Sequence, residues 1–258
     1  MKSFLVGMVF LSITYALVTA CASDDGPPEV DPLTASINED DAKAPGVDEI
    51  IRFRTEDSED LWGSVFGVGE IAVILTHMRG RDQTSWFPFA RFAAESGYKV
   101  LTFDFRGYGK STGTKDTRMD RDLEAAIAYM RAKGAKQVVL IGASMGGTAV
   151  IELASESQVQ GVAALSPPAE FGRINALTAV ESMVIPLLLI VAENDSQYYS
   201  DARKIESAAA ATQFLLVEGQ QHGTNMIAEH RNEIFANLLA FLDRWTDDRL
   251  LTTVQTES

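Results

Sequence analysis

The residues able to do chemistry gather around one serine. Val138-Val139-Leu140-Ile141 run straight into Gly142-Ala143-Ser144-Met145-Gly146-Gly147, and residues 148–154 have helical composition. A buried strand, a Gly-x-Ser-x-Gly turn and a helix in succession make the nucleophile-elbow pattern. Glycines are needed there because side chains at 142 or 146 would collide with the neighbouring strand and helix. A serine hydroxyl alone is a weak nucleophile. It needs a base to take its proton, an acid to orient that base, and N–H donors for the developing oxyanion. Three histidines are candidates for the base: His77, His222 and His230. Glu193, Asp195 and Asp201 are candidates for the acid. Ser166 also ends an apolar run, but without a glycine elbow it reads as a pocket or structural hydroxyl.

These residues have to be positioned by regular elements. Apolar, strand-like runs occupy 50–54, 61–66, 71–75, 98–103, 136–141, 161–166, 186–191 and 213–217. Helical spacing predicts helices over 86–96, around 123–130, over 148–154, over 174–183 and 201–211, and a long one from 227. From residue 71 onward strand and helix alternate. That predicts a doubly wound, mostly parallel sheet of about eight strands with an antiparallel start. In such sheets the site lies at the carboxyl ends of the strands. The excursion at 169–185 is short, which leaves a minimal cap over any pocket.

With the elements in place, the domain resembles the α/β-hydrolase family. The elbow is one matching piece. The order Ser144, Asp195, His222 is that family's order of nucleophile, acid and base, each following a strand. Thr76-His77-Met78-Arg79-Gly80 is similar to the turn after the third strand, and Asp104 to Ser111 to the family's D-x-R-G-x-G-x-S loop. The resemblance covers roughly residues 49–245. It implies that Ser144 attacks a carbonyl carbon, that His222 relays the proton, and that Asp195 orients the imidazole. It implies an oxyanion hole made by the backbone N–H groups of Met78 and Met145. No metal or organic cofactor is required by this chemistry. In this reading His77 is structural and His230 is a solvated group on the last helix. Asp201 is expected to start a helix, and Asp104 with Arg106 to cap backbone groups. The expected activity is serine hydrolysis of an ester or thioester. The alternatives are an aminopeptidase or amidase on the same scaffold, and a lipid-tethered binding protein without catalysis.

The remaining segments speak to location and partners. Lys2 is the one charge in residues 1–20, and residues 4–18 form an apolar run of signal-peptide length. Val18-Thr19-Ala20-Cys21 resembles the lipobox of bacterial lipoproteins, and Cys21 is the chain's single cysteine. The resemblance implies a lipid on Cys21 and a domain held outside the cytoplasm on the cell envelope, with plain secretion as the alternative. Residues 21–48 read as a lipidated cysteine and acidic tether, 49–247 as the hydrolase domain and 248–258 as a loose tail. A formal net charge of −14 argues against nucleic acid as a partner, and the hydrolase resemblance implies a small-molecule or acyl substrate.

Overall fold

The inner strands are apolar on both sides, so each has to be covered twice. The computed structural model describes residues 44–155 and 157–246, and within them the covering is complete. The expected signal segment, Cys21, most of the tether and the tail lie outside the described residues.

In chain order the strands are β1 (Glu49–Arg54), β2 (Asp60–Phe66), β3 (Ile71–Thr76), β4 (Lys99–Phe103), β5 (Gln137–Ala143), β6 (Gly161–Leu165), β7 (Glu170–Phe171), β8 (Ile174–Asn175), β9 (Leu187–Ala192) and β10 (Thr212–Val217). Eight of them form one sheet in the order β1-β2-β4-β3-β5-β6-β9-β10, while β7 and β8 make a small separate hairpin. β1, β2 and β4 pair antiparallel, and every pairing from β4 to β10 is parallel. The helices are α1 (Phe87–Glu95), α2 (Met119–Ala132), α3 (Met145–Ala154), α4 (Ala176–Ser182), α5 (Ser196–Ala208) and α6 (Ile227–Thr246).

Successive residues of a strand face opposite sides, and that alternation divides the interior in two. Ala72 and Ile74 of β3 join Leu123, Ile127, Val150, Ile151, Val180 and Ile205 on one face. Val73 and Leu75 join Phe89, Phe235, Leu238 and Phe241 on the other. α2 to α5 therefore cover one side, and α1 with α6 the other. The α1–α6 contact is aromatic, with Phe89 and Phe235 ring centroids 5.1 Å apart in an edge arrangement. Among the described residues no helix is long and apolar enough to cross a membrane.

Four expectations shift in detail. The helix expected from residue 86 starts at Phe87, because Asp82 caps a preceding 3-10 turn at Gln83–Trp86 by accepting from the Thr84 N–H at 2.9 Å. The excursion at 169–185 holds the β7–β8 hairpin before a shorter helix, α4, because Gly172 adopts the positive φ that a tight reversal needs. The helix expected from 201 begins at Ser196, so Asp201 does not start it. It lies buried inside α5 and binds the Ala169 N–H and the Lys204 ammonium. Residues 44–48, read as part of the tether, pack on the domain. Val47 is buried, and the Asp48 N–H donates to the Val65 carbonyl at 2.9 Å.

Candidate active site

The elbow is enforced by contacts that only glycine permits. A Cβ at Gly142 would stand 2.3 Å from the Gly146 carbonyl oxygen, and a Cβ at Gly146 would stand 2.7 Å from that of His77. Ser144 between them has φ 49° and ψ −121°, a strained conformation for a residue with a side chain. The strain is held by the flanking elements: its N–H donates to the Leu165 carbonyl at 2.8 Å, and α3 starts on the next residue. The result places the Ser144 side chain at the carboxyl end of β5 and the amino end of α3. Its hydroxyl makes no capping bond to the first turn of α3.

Asp195 follows β9 and His222 follows β10, and the two meet. The His222 Nδ1–H donates to Asp195 Oδ2 at 2.9 Å, with Asp195 buried and His222 partly open. This bond selects the tautomer that leaves Nε2 free to accept a proton. The loop carrying His222 is seated against the elbow. A Cβ at Gly223 would lie 2.9 Å from Met78 Sδ and 3.5 Å from Ala143 Cβ, so the backbone passes within contact of both.

The two expected oxyanion donors are unspent. Met145 occupies the first turn of α3, where an N–H has no intrahelical acceptor. Met78 lies just past β3. Among the described residues neither of these N–H groups donates to another backbone group. The amino end of α3 adds its partial positive charge at the same place. No group of three His, Cys, Asp or Glu side chains among the described residues is arranged to hold a metal ion.

His77 has a structural place. It is buried, its Nδ1–H donates to the Met78 carbonyl at 2.9 Å, and its Nε2 accepts from the Phe105 N–H at 3.1 Å. These partners require the neutral imidazole, and burial holds its pKa below the ordinary histidine value. His77 thereby ties the Met78 turn to the loop after β4. His230 sits at a kink in α6, partly buried, 3.7 Å from Glu233. Glu193 is exposed at the strand end, where its carboxylate accepts from the neighbouring Asn194 amide.

The D-x-R-G-x-G-x-S loop is only partly what was expected. Asp104 does cap backbone, accepting from the Gln83 N–H at 2.8 Å, and burial raises its pKa. A Cβ at Gly109 would strike the Asp104 carboxylate at 2.1 Å, which accounts for that glycine. Among the described residues the Arg106 guanidinium caps no backbone group. It pairs with Asp122 of α2 and with Asp57 of the β1–β2 turn, each at 2.8 Å. Burial pushes the Asp122 carboxyl up to about 6 despite these bonds.

Two residues near the pair carry more than their sequence signal suggested. Ser166, with φ 48° at the end of β6, accepts from the Gly223 N–H at 3.1 Å and so anchors the residue after His222. Tyr198 packs on the His222 ring with centroids 4.0 Å apart. The sequence did not mark it, because the helix that carries it was expected only from residue 201.

Residues 71–197 match the family described as alpha/beta hydrolase fold. The chain is 30% identical over 118 residues to the YfhR protein of Salmonella typhi, across 42% of this chain and 40% of that one. It is 33% identical over 93 residues to a 2-hydroxy-6-oxononadienedioate/2-hydroxy-6-oxononatrienedioate hydrolase of Burkholderia vietnamiensis, across 34% of this chain and 32% of that one. The chain thus spans less than half the length of these curated relatives. An esterase of Pyrococcus furiosus superposes with a TM-score of 0.67 at 23% identity, covering 76% of this chain and 90% of that one. Strand order, family match and structural likeness agree that the chain has the α/β-hydrolase fold.

Proposed function

We propose that this protein is a serine hydrolase that cleaves a carboxylic ester or thioester through an acyl-enzyme. The observation that carries the reading is the 2.9 Å His222–Asp195 bond in a loop seated against the Ser144 elbow. The similarity to proteins named as hydrolases and esterases supports it.

In this mechanism the substrate carbonyl enters beside Ser144 with its oxygen toward the Met78 and Met145 N–H groups. His222 Nε2 takes the Ser144 proton as Oγ bonds to the carbonyl carbon. Asp195 stabilises the imidazolium that forms. Negative charge on the carbonyl oxygen is met by the two N–H donors and the α3 amino end, each donor being worth about 3 kcal/mol of barrier in such sites. Collapse expels the alcohol or thiol, which takes the proton from His222. Water then repeats the sequence on the acyl-enzyme and frees the acid.

The test is hydrolysis of p-nitrophenyl butyrate by the wild type and by Ser144→Ala. The expected result is a fall in kcat of roughly 1,000-fold or more. A variant as active as the wild type would overturn the reading. A fluorophosphonate probe should label the wild type and leave Ser144→Ala unlabelled.

We also propose that Cys21 carries a lipid that holds the domain on the cell envelope outside the cytoplasm. The support is the small-residue sequence before this single cysteine. Labelled palmitate should enter the wild type and be absent from Cys21→Ala. Equal labelling would put the lipid elsewhere than Cys21, and none in either would leave secretion as the answer.

A further inference from the structure

Beside the candidate catalytic residues the surface opens into a cleft of about 380 Å³, within the usual size of small-molecule sites. One wall is the segment after the Met78 turn, with Gly80, Arg81, Asp82 and Thr84. The other is the loop after β4, with Tyr108 and Lys115. Each wall makes a contact with a residue adjoining the site. The Tyr108 ring lies 4.8 Å from that of His77, and its hydroxyl is 3.8 Å from Met145 Sδ. The Arg81 guanidinium donates to Asn225 Oδ1 at 2.8 Å, three residues beyond His222.

The charges in this cleft are set for an anion. Lys115 Nζ stands 4.8 Å from the centre of the Tyr108 ring, and Arg81 has only the neutral Asn225 amide. Among the described residues neither cation is paired with a carboxylate. Nearby Arg79 differs, because Asp116 holds it at 3.1 Å. The one acid in the lining, Asp82, is turned back on its own helix, accepting from the Thr84 N–H at 2.9 Å. Asp116 beside the cleft is likewise engaged, by Arg79 and by the Tyr108 hydroxyl at 2.6 Å, so two cations without a carboxylate partner line one cleft in a chain with 36 acidic and 22 basic residues. A field that is negative elsewhere repels an anion, so these two side chains would decide where it can dock.

Resting on the serine-hydrolase reading, we propose that Arg81 and Lys115 form a subsite for a carboxylate carried by the substrate, so that the favoured esters are anionic. Arg81 supplies a planar fork matched to a carboxylate, and Lys115 a point charge opposite it. The cleft shares Tyr108 with the oxyanion side of the site, so the carboxylate sits a short distance from the scissile bond.

Two matched pairs of esters test this. In the first the carboxylate is on the acyl side: mono-p-nitrophenyl adipate against p-nitrophenyl hexanoate. In the second it is on the leaving group: the butyrate ester of hydroxynitrobenzoate against p-nitrophenyl butyrate. The readout is the ratio of kcat/KM for the anionic member to that for the neutral one. The wild type should favour the anion in one pair, which says which side of the ester the cleft receives. Arg81→Gln and Lys115→Gln should each lower that ratio roughly 10-fold, as expected for loss of a charge-assisted hydrogen bond. Salt raised toward about 1 M should lower the wild-type ratio as well. Arg244→Gln, on α6 and remote from the cleft, should leave it unchanged. Thermal melting checks that each variant is folded. Preference for the neutral member in both pairs overturns the subsite, as does a ratio that survives both substitutions. If the neutral esters are turned over in a Ser144-dependent way while these ratios stay flat, only the subsite falls. If no ester is turned over at all, the hydrolase reading falls and the subsite with it.

Discussion

Ser166 lends its hydroxyl to the Gly223 N–H and so fixes the residue beside His222. Ser166→Ala leaves a buried donor unsatisfied, with a cost of roughly 1–3 kcal/mol. Because that donor belongs to the loop carrying His222, the proposed mechanism has the same change lower kcat several-fold with KM nearly constant. Steady-state kinetics beside thermal melting separate the two effects, and a stability loss without a kcat loss would confine Ser166 to the fold. His77 makes a different prediction. Its native form is neutral and its pKa depressed by burial, while the unfolded chain takes up a proton near the ordinary value of 6.5. The unfolded state thus binds more protons below that value, and the wild type loses stability there as pH falls. His77→Gln cannot lose this contribution. Its deficit against the wild type should shrink between about pH 7 and pH 5, measured by denaturant unfolding at both. A deficit that grows with acid would mean that His77 is charged in the native state.

At the scale of elements, the β5–α3 junction depends on absent side chains. The Cβ of Gly142→Ala would meet backbone atoms of Gly146, which no rotamer change can move. The substitution should therefore abolish the proposed ester hydrolysis and lower the melting temperature, whereas Gly80→Ala meets no neighbour in space and should cost only the strain of its positive φ. The Arg106 bridge works between elements rather than within one, joining the β1–β2 turn and α2 to the loop after β4. Asp122 is fully buried there. Asp122→Ala strands the Arg106 charge and should cost roughly 3–5 kcal/mol in urea unfolding. A cost under about 1 kcal/mol would mean that water or Asp57 replaces the lost partner.

For the whole molecule, the described core begins before the first strand. A chain starting at residue 44 keeps both of the apolar cores found among the described residues, Val47 included. Starting instead at residue 49 removes buried Val47 and the Asp48 contact and should lower the melting temperature by several degrees, as judged by calorimetry. What the chain determined by itself is local or periodic. Continuous apolar runs announced β3, β5, β6 and β9, because a strand covered on both faces has no polar positions to lose. The elbow at Gly142, Ser144 and Gly146 was legible because the turn demands those residue types. Resemblance then nominated Asp195 and His222, 51 and 78 positions beyond the serine by their numbers. Only the tertiary structure decided the rest. Residues 44–48 read as tether because one apolar side chain, Val47, makes no period. Arg106 read as a cap because Asp57 and Asp122 are far from each other along the chain. Ser166, Tyr198 and the Arg81–Lys115 cleft left little or no trace, since they depend on which strand ends the sheet places side by side. That order is set by burying two faces at once, and no single stretch of sequence contains it.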